Sequence, residues 1–382
     1  MAKRRIRVGL LFGGRSPEHE VSITTAASIA KEADPERLEI IPIWITREGR
    51  WLELRSGAEL AALAGHLLAE SEIGRLGRRE VLLSGAATAS LVPVAPGPNV
   101  VATGEGASAA PIDVLFPALH GQGGEDGSVQ GLARLADVPC VGAGILGSAL
   151  GMDKISMKRV VAAHGIPVPA FVEFTRADWE KRGGDVRAGI ESTLPLPVFV
   201  KPSGAGSSVG ITRIAAWPDL GPAVRDAARY DYRILVEQGI DARELEIAVL
   251  GNDDPQASVV GEIISSREFY DYRAKYLEDG SKAVIPADVP AETAEAARSL
   301  ALRAFRALDL AGMARADFLL DRKDGRLYFN EVNTIPGFTP ISMYPMLWAA
   351  SGIAYRDLIT RLVDLAIERR RATRVDTDRP DA

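Results

Sequence analysis

The spacing of the apolar runs changes near residue 165, and this change limits the folds open to the chain. Before it, short apolar runs at residues 7–12, 39–45 and 113–119 alternate with stretches of helical character. The helix that follows the first run is expected to begin with Ser16 as its N-cap. Such alternation is typical of a parallel sheet covered by helices. The first part of the chain is therefore predicted to be an open, mainly parallel α/β domain.

Hairpin-type strands dominate the rest of the chain. A helix over residues 153–164, with Asp153 as its N-cap and Gly165 as its stop, separates the two patterns. Apolar residues that recur every second position predict the later strands, and those that recur every 3.6 positions predict the later helices. Strands are expected at residues 197–201, 211–214, 234–237, 245–250, 258–264, 313–320 and 326–331, and helices at 291–308 and 355–371. These elements predict two α+β lobes after the first domain.

The predicted domain organisation has four segments. They are a first domain over residues 1–150, a central lobe over 151–240, a C-terminal lobe over 241–371 and a polar, disordered tail over 372–382. Within the first domain, the Ala/Gly-rich residues 54–110 are interpreted as an elaboration. A short helix at residues 128–136 and a closing strand at 138–141 are expected to complete it.

Composition excludes several classes of partner. The net charge of −6 gives no reason to expect nucleic acid or an anionic membrane surface. No stretch approaches the ~20 apolar residues of a membrane helix, and the basic start leads directly into a strand. Cys140 is the single cysteine, so an internal disulfide is excluded and a buried structural role is favoured. The expectation is a soluble cytoplasmic protein.

The most specific chemical signal is the last hairpin, which is expected to turn around Asp324. If opposed positions sum to 648, Asp317 lies opposite Glu331 and Arg315 opposite Asn333, all on one face because strand side chains alternate. Two carboxylates and an amide oxygen are ligands that Mg²⁺ accepts beside phosphates and water. The pattern indicates a magnesium site, whereas an exposed strand face with paired charges is the alternative interpretation.

Two loops could close over a phosphate. Residues 201–210 begin with Lys201 and are rich in glycine and serine, so backbone N–H groups could approach phosphate oxygens. The lysine precedes the glycines, so this is not a P-loop, and a plain mobile turn would be at least as common. Residues 269–276 carry three tyrosines and Lys275 without hydrophobic period. This segment is predicted to be a lid, although aromatic loops usually pack on a core edge.

Two further loops follow strands of the first domain. Residues 13–20 hold Glu18, which would repel a phosphate but attract an ammonium group. Residues 120–127 place His120 at a strand end among four glycines, which suggests a crowded ligand edge, although such a histidine is more often structural. The other histidines, His19, His66 and His164, show no metal-binding spacing.

Together these segments resemble the D-alanine–D-alanine ligases of the ATP-grasp superfamily. The motifs that carry the resemblance are residues 18–22 (EHEVS), 120–127, 152–154 (MDK), 206–210, 269–276, 330–334 (NEVNT) and 336–338 (PGF). They occur in the family's order and cover most of the chain, residues 5–370. Gly204 lies outside the match, since some members carry a basic residue there. The resemblance implies a Rossmann-like pre-ATP-grasp domain followed by two ATP-grasp lobes.

The resemblance also implies a role for each matched residue. Glu18 would bind the first ammonium through a network with Ser207 and Tyr276, and Arg315 and the Gly337 N–H would stabilise the oxyanion. The catalytic set is then Glu18, Ser207, Tyr276, Arg315, Gly337 and Ser342; the substrate-binding set is Glu18, His120, Ser342 and Met343; the metal ligands are Asp317, Glu331 and Asn333; and the nucleotide-binding set is Lys154, Lys201, Ser208, Glu237, Gln238, Ile240, Glu244 and Lys275.

The family reaction uses ATP to join two D-alanine molecules through an acyl phosphate, as a step in making peptidoglycan precursors. The resemblance implies two Mg²⁺ ions, with Mn²⁺ as a substitute and K⁺ as an activator, and a homodimer. The nearest alternative is a sister ligase that makes D-alanyl-D-lactate or D-alanyl-D-serine, for which the residue at Tyr276 is the discriminator. An ATP-grasp ligase acting on peptides or carboxylate cofactors, and a nucleotide-binding sensor without catalysis, are less favoured, because the implied pocket is small and no metal ligand is missing.

Overall fold

The computed structural model describes residues 4–65, 68–76, 78–84, 90–93, 110–265 and 281–373. In its first part, one sheet of seven strands has the order β6-β5-β4-β3-β2-β1-β7. The strands are β1 Ile6–Gly13, β2 Leu38–Ile45, β3 Trp51–Leu54, β4 Arg78–Ser84, β5 Ser90–Pro93, β6 Ala110–Pro111 and β7 Val114–Pro117. The helices are α1 His19–Glu32, α2 Gly57–Ala61, α3 Glu70–Ile73, α4 Ser128–Leu135 and α5 Ile145–Met152.

The predicted parallel sheet is confirmed at one end of the observed sheet and needs a correction at the other. Strand β1 pairs in parallel with β2 and β7, whereas β3, β4, β5 and β6 are added in antiparallel order. The weakly patterned segment 54–110 supplies three of these added strands in its described part. The sheet is therefore mixed, with each added strand antiparallel to the strand before it.

Two smaller sequence predictions in this region are wrong. Helix α1 begins at His19 with Glu18 at the N-cap, and the Ser16 hydroxyl instead accepts the Glu18 N–H at 3.2 Å in the turn before the helix. The expected closing strand at 138–141 is reduced to a single parallel bridge between Leu115 and Cys140. The bridge consists of the Leu115 N–H bond to the Pro139 carbonyl and the Val141 N–H bond to the Leu115 carbonyl, and Pro139 has no N–H of its own to donate.

The central part contains a four-stranded antiparallel sheet of order β10-β9-β11-β8. Asp153 caps helix α6 as predicted, since its carboxylate accepts the Ser156 N–H at 2.7 Å. Helices α7 and α8 cover the sheet and bury residues such as Ile190 and Val224. The elements are α6 Lys154–Ala163, β8 Phe171–Thr175, α7 Arg176–Thr193, β9 Val198–Pro202, β10 Thr212–Ile214, α8 Leu220–Ala227 and β11 Arg233–Gln238.

The last part contains a five-stranded antiparallel sheet of order β14-β13-β12-β15-β16. Helix α9 packs on it through Ala297, Ala301, Ala304 and Phe305, whose spacing forms one apolar face as the sequence predicts. The elements are β12 Ala242–Gly251, β13 Gln256–Ser265, β14 Ser281–Val284, α9 Ala291–Ala307, β15 Gly312–Asp321, β16 Leu327–Asn333, α10 Met343–Ala350 and α11 Tyr355–Ala372. From residue 374 on, the predicted tail lies outside the described residues.

The predicted hairpin register is confirmed where it carries the polar face. Asp317 pairs with Glu331 and Arg315 with Asn333. Beyond Asp317 the register shifts, so that Phe318 faces Phe329 and Asn330 is an extra residue in β16. The predicted register, in which the numbers of opposed residues sum to 648, therefore holds only on the side of the bulge away from the turn.

One hydrophobic core joins the first and last parts of the molecule. Phe116 of β7 and Phe338 pack edge-on with ring centroids 5.9 Å apart, and Leu358 and Leu362 of α11 belong to the same buried cluster. This core fixes the loop after β16 against the first sheet. None of the helices among the described residues is long and apolar enough to span a bilayer.

Candidate active site

Two adjoining cavities lie where the three sheets meet. The first, of about 160 Å³, is lined by residues of the first domain and of the loop after β16. The second, of about 710 Å³, lies between the central and C-terminal sheets. Their linings share Ser208, Ile211, Glu246 and Glu331, so these residues form the boundary between them.

Most of the predicted site residues line one of these cavities. In the first are Glu18, His120, Lys154, Ser207, Ser208, Arg315, Glu331, Asn333, Gly337, Ser342 and Met343. In the second are Lys201, Ser208, Glu237, Gln238, Ile240, Glu244, Asp317 and Glu331. The structure thus brings together residues that are more than 300 positions apart in the chain. Lys275 and Tyr276, with the rest of the predicted lid, lie outside the described residues.

A carboxylate closes one end of the first cavity. Glu18 is buried and accepts a hydrogen bond from the Ser207 hydroxyl, as the family resemblance implies. Two glycines let the neighbouring loops approach it: a Cβ at Gly121 or at Gly206 would lie 3.2 Å from Glu18 Oε2. Gly121 also has φ +73°, which favours glycine. This end of the cavity suits a small ammonium group.

His120 and Glu125 bind the peptide of Ile335 from opposite sides. The two ring nitrogens of His120 hydrogen-bond to the Ile335 carbonyl (3.1 Å) and the Thr25 hydroxyl (3.2 Å), and burial lowers the pKa of this histidine. Glu125 accepts the Ile335 N–H at 3.0 Å and the Gly121 N–H at 2.9 Å. His120 therefore has protein partners at both nitrogens, and direct substrate binding by His120 stays a prediction.

Glu125 is a site residue that the sequence alone does not identify, because its segment predicts only a crowded ligand-binding edge. Burial and the nearby charge of Glu18 raise the pKa of Glu125 to about 7. Its two backbone bonds join the first domain to the loop that carries Gly337. The signal in the sequence was an acidic residue among glycines, whose exposed N–H groups a carboxylate can accept.

Ser342 lies beside Gly337 in the loop after β16. Its hydroxyl accepts the Thr339 N–H at 3.0 Å and shares a 2.8 Å hydrogen bond with the Thr339 hydroxyl. A Cβ at Gly337 would lie only 2.8 Å from Ser342 Oγ, so this position requires glycine. The Gly337 N–H and the Ser342 hydroxyl therefore belong to one compact loop that lines the first cavity.

A row of charged side chains crosses three neighbouring strands at the boundary. Asp317 of β15 pairs with Glu331 on one side and with Glu246 of β12 on the other. The Arg315 guanidinium makes two 2.8 Å hydrogen bonds to Asp317 and lies 2.9 Å from Glu246. Asn333 donates to Asp317 at 2.9 Å. Glu246 is not identifiable from the sequence, because its cross-strand neighbour is set by β12–β15 pairing, which a single sequence does not reveal.

The donor set at this boundary suits a hard cation in part. Asp317, Glu331 and Asn333 provide two carboxylates and one amide, the chemistry that Mg²⁺ takes when phosphates and waters complete its shell. Among the described residues, no three His, Cys, Asp or Glu side chains are gathered as a metal cluster. A site of this kind therefore depends on oxygens from a phosphate-bearing ligand, which fits its position beside the larger cavity.

Lys201 provides positive charge at the wall of the larger cavity. Lys201 contacts Glu237, and both line the cavity together with the edge residues Gln238 and Ile240. Glu237 is fully buried, and although burial alone would raise its pKa, Lys158 and Lys201 lower it below the usual carboxyl value. Lys154 lies at the boundary, 3.5 Å from Glu331, and donates to the Ala205 carbonyl at 2.8 Å.

This combination of an α/β domain and two α+β lobes, with a carboxylate-bearing hairpin beside a cleft between the lobes, defines the ATP-grasp class. The family described as "D-ala D-ala ligase N-terminus" matches residues 7–143, and the one described as "D-ala D-ala ligase C-terminus" matches residues 160–364. The chain belongs to the D-alanine–D-alanine ligase family.

Similar proteins cover nearly the full length of the chain. A D-alanine–D-alanine ligase of Geobacillus kaustophilus is 46% identical over 366 residues, which are 96% of this chain and 95% of the relative. The solved D-alanine–D-alanine ligase of Coxiella burnetii has a TM-score of 0.82 at 31% identity, covering 97% and 96% of the two chains. The VanG D-Ala:D-Ser ligase of Enterococcus faecalis has a TM-score of 0.81 at 32% identity, covering 95% of this chain and 100% of the other.

Proposed function

We propose that this protein joins two D-alanine molecules at the expense of ATP. The observation that carries the proposal is the shared boundary of the two cavities, where Arg315, Glu246 and Glu331 meet. A small amino acid in the first cavity and the terminal phosphate of a nucleotide in the second would come together there. Membership of the D-alanine–D-alanine ligase family supports this assignment of the two ligands.

In the first step, a carboxylate oxygen of D-alanine attacks the γ-phosphorus of ATP, and the bond to the ADP oxygen breaks. Glu18 binds the ammonium of this D-alanine, and Ser207 orients Glu18 through its hydrogen bond. Lys154 and Lys201 provide positive charge on the two sides of the boundary. Mg²⁺ bound by Asp317, Glu331 and Asn333 would neutralise phosphate charge.

In the second step, the amine of a second D-alanine attacks the acyl carbon, loses a proton, and phosphate leaves. Negative charge develops on the acyl oxygen, and Arg315 and the Gly337 N–H are proposed to stabilise it. Ser342 and Met343 would bind the carboxylate end of the second D-alanine. The water-excluding lid would be supplied by residues 269–276, where Lys275 and Tyr276 retain their proposed phosphate and ammonium roles.

A second candidate is ligation of D-alanine to D-serine or D-lactate. The likeness to the VanG D-Ala:D-Ser ligase favours it, because its fold matches this chain as closely as that of the Coxiella enzyme does. Tyr276 favours the amine reaction, since a neutral phenol adds no positive charge that would oppose an incoming ammonium group.

Three finer points belong to the same proposal. The protein is proposed to act in the cytoplasm, with two Mg²⁺ ions that Mn²⁺ can replace and with K⁺ as an activator. It is also proposed to form a homodimer, and Leu135 and Leu146, at 84% and 57% exposed, support a second copy covering the surface of α4 and α5.

The test is ADP release with D-alanine alone, with L-alanine alone, and with D-alanine plus excess D-lactate, with products identified by mass spectrometry. D-Alanine alone should give D-alanyl-D-alanine, at a rate that rises between about pH 6 and 9 as the attacking amine loses its proton. L-Alanine is the matched control and should release little ADP. Substantial D-alanyl-D-lactate at pH 6 would assign the chain to the second candidate function.

A further inference from the structure

Lys158 is a buried cation to which neither the motifs nor the proposed reaction gives a role. Its side chain is 1% exposed, and its ammonium lies 2.5 Å from Glu237 Oε1. It also donates to the Asn330 carbonyl at 2.9 Å. Removing a charged group from water costs several kcal/mol unless partners replace the water. Lys158 therefore has a defined position, fixed by partners on β11 and β16.

Glu237 connects this buried lysine to the larger cavity, which is the proposed nucleotide site and is called the nucleotide cavity below. One carboxylate oxygen contacts Lys158 and the other contacts Lys201, which lines the cavity wall. Glu237 lines the cavity, whereas Lys158 does not. If Lys158 were absent, Glu237 would keep only one cationic partner among the described residues and could rotate toward Lys201 or toward the cavity.

The other contact of Lys158 anchors it beside the boundary of the two cavities. Asn330 is the bulged residue of β16 and precedes Glu331. Lys154, one helical turn before Lys158 on α6, lies 3.5 Å from Glu331. One face of α6 thus presents two lysines, the first at the boundary and the second beneath the nucleotide cavity.

We propose that Lys158 is a positioning residue of the nucleotide site: anchored on the Asn330 carbonyl, it orients Glu237, and Glu237 in turn orients Lys201. This inference rests on the proposed function for the identity of the nucleotide. It predicts that loss of Lys158 weakens nucleotide binding while the amino-acid cavity is left unchanged, because Lys158 pairs with Glu237 and Asn330, neither of which lines that cavity.

The test compares Lys158→Met, which keeps a long side chain but removes its charge, with Arg159→Met on the same helix. Arg159 is exposed and pairs with Glu173, so its replacement is a matched control. Affinity for ADP with Mg²⁺ is measured by calorimetry, and the KM values for ATP and D-alanine by steady-state kinetics. Lys158→Met should weaken ADP binding by about tenfold or more with little change in the KM for D-alanine. Arg159→Met should change neither.

A second comparison separates positioning from general damage to the fold. In a Glu237→Gln background, adding Lys158→Met should change ADP affinity by less than about twofold, because Lys158 then has no carboxylate to orient. This double variant leaves no buried carboxylate without its lysine, so it remains testable if the single variant does not fold. A further large loss in the double variant, or wild-type ADP affinity in a folded Lys158→Met protein, would overturn the proposal. If the wild type binds ADP but forms no dipeptide, only the proposed function fails.

Discussion

Each of the two cavities is lined by a glutamate, and the pKa values of these two carboxyls are shifted in opposite directions. Glu125, beside the amino-acid cavity, has two backbone N–H donors and the acidic neighbour Glu18, and its pKa is raised to about 7. Glu237, in the nucleotide cavity, has two lysines, and its pKa is lowered. Burial raises the pKa of both carboxyls, and only at Glu237 do two lysine partners outweigh this effect. The nucleotide side is built around fixed charges, and the amino-acid side around hydrogen-bonded loops.

Glu331, one of the residues shared by both cavities, provides the strongest test of this contrast. Glu331→Gln removes one of the two carboxylates proposed to bind the metal, so metal-dependent turnover should fall by at least about a hundredfold with the fold intact. The measurement is kcat over a range of Mg²⁺ concentrations, with the melting temperature as the check on folding. Glu295→Gln, on the exposed part of α9, is the control. Full activity of Glu331→Gln at saturating Mg²⁺ would refute the metal assignment of the hairpin.

A substitution of Arg315 tests whether this cation at the boundary acts on the amino acid or on the nucleotide. It lines the amino-acid cavity and contacts Asp317 and Glu246, so we expect it to act on charge that develops at the acyl carbon. Arg315→Ala should lower kcat by about a hundredfold to a thousandfold, the usual cost of one lost oxyanion donor, with a smaller change in the KM for ATP. If only the KM for ATP rises, Arg315 binds phosphate, and the boundary belongs to the nucleotide side.

Glu125 allows the smallest but most direct comparison, through the pH dependence of stability. Its folded pKa of about 7 lies above the ordinary value of 4.5, so between these values the folded protein retains a proton that the unfolded chain has lost. The contribution of Glu125 to stability therefore falls as pH rises from about 4.5 to 7, by at most about 3 kcal/mol, and then stays constant.

Urea unfolding of the wild type and of Glu125→Gln at pH 5 and pH 8 measures this effect. The variant should gain stability relative to the wild type at the higher pH, since glutamine has no proton to lose. Other titrating groups are common to both proteins and cancel in the difference. Equal differences at the two pH values would show that Glu125 has an ordinary pKa in the folded protein.

The sequence was a good guide where function depends on local order. The hairpin register, the Asp153 cap and the Glu18–Ser207 contact follow from strand alternation, capping chemistry and the family resemblance, and the structure contains all three. The antiparallel addition to the first sheet was not predictable in the same way, because residues 54–110 have weak periodicity and their pairing is decided by the sheet they join.

The site residues that the sequence does not reveal have one feature in common. Lys158, Glu125 and Glu246 act through partners that are distant in sequence, and such pairings are not visible in a single chain. One signal was available for Lys158: it follows Lys154 by four residues, so both lie on one helix face. The boundaries near residues 150 and 240 stay predictions.

The extra residue in β16 has a consequence for what changes of length this enzyme family member can tolerate. Leu327, Phe329, Glu331 and Asn333 are all two apart, yet the first two point into the core and the last two toward the site, because Asn330 interrupts the alternation. A chain lacking one residue between Phe329 and Glu331 would have nearly the same composition and the same hairpin. Because Phe329 and Glu331 would then be neighbours, Val332 would stay inward and Glu331 outward. A single-codon deletion would thus keep both faces of the strand end while removing the Asn330 carbonyl that accepts a hydrogen bond from Lys158.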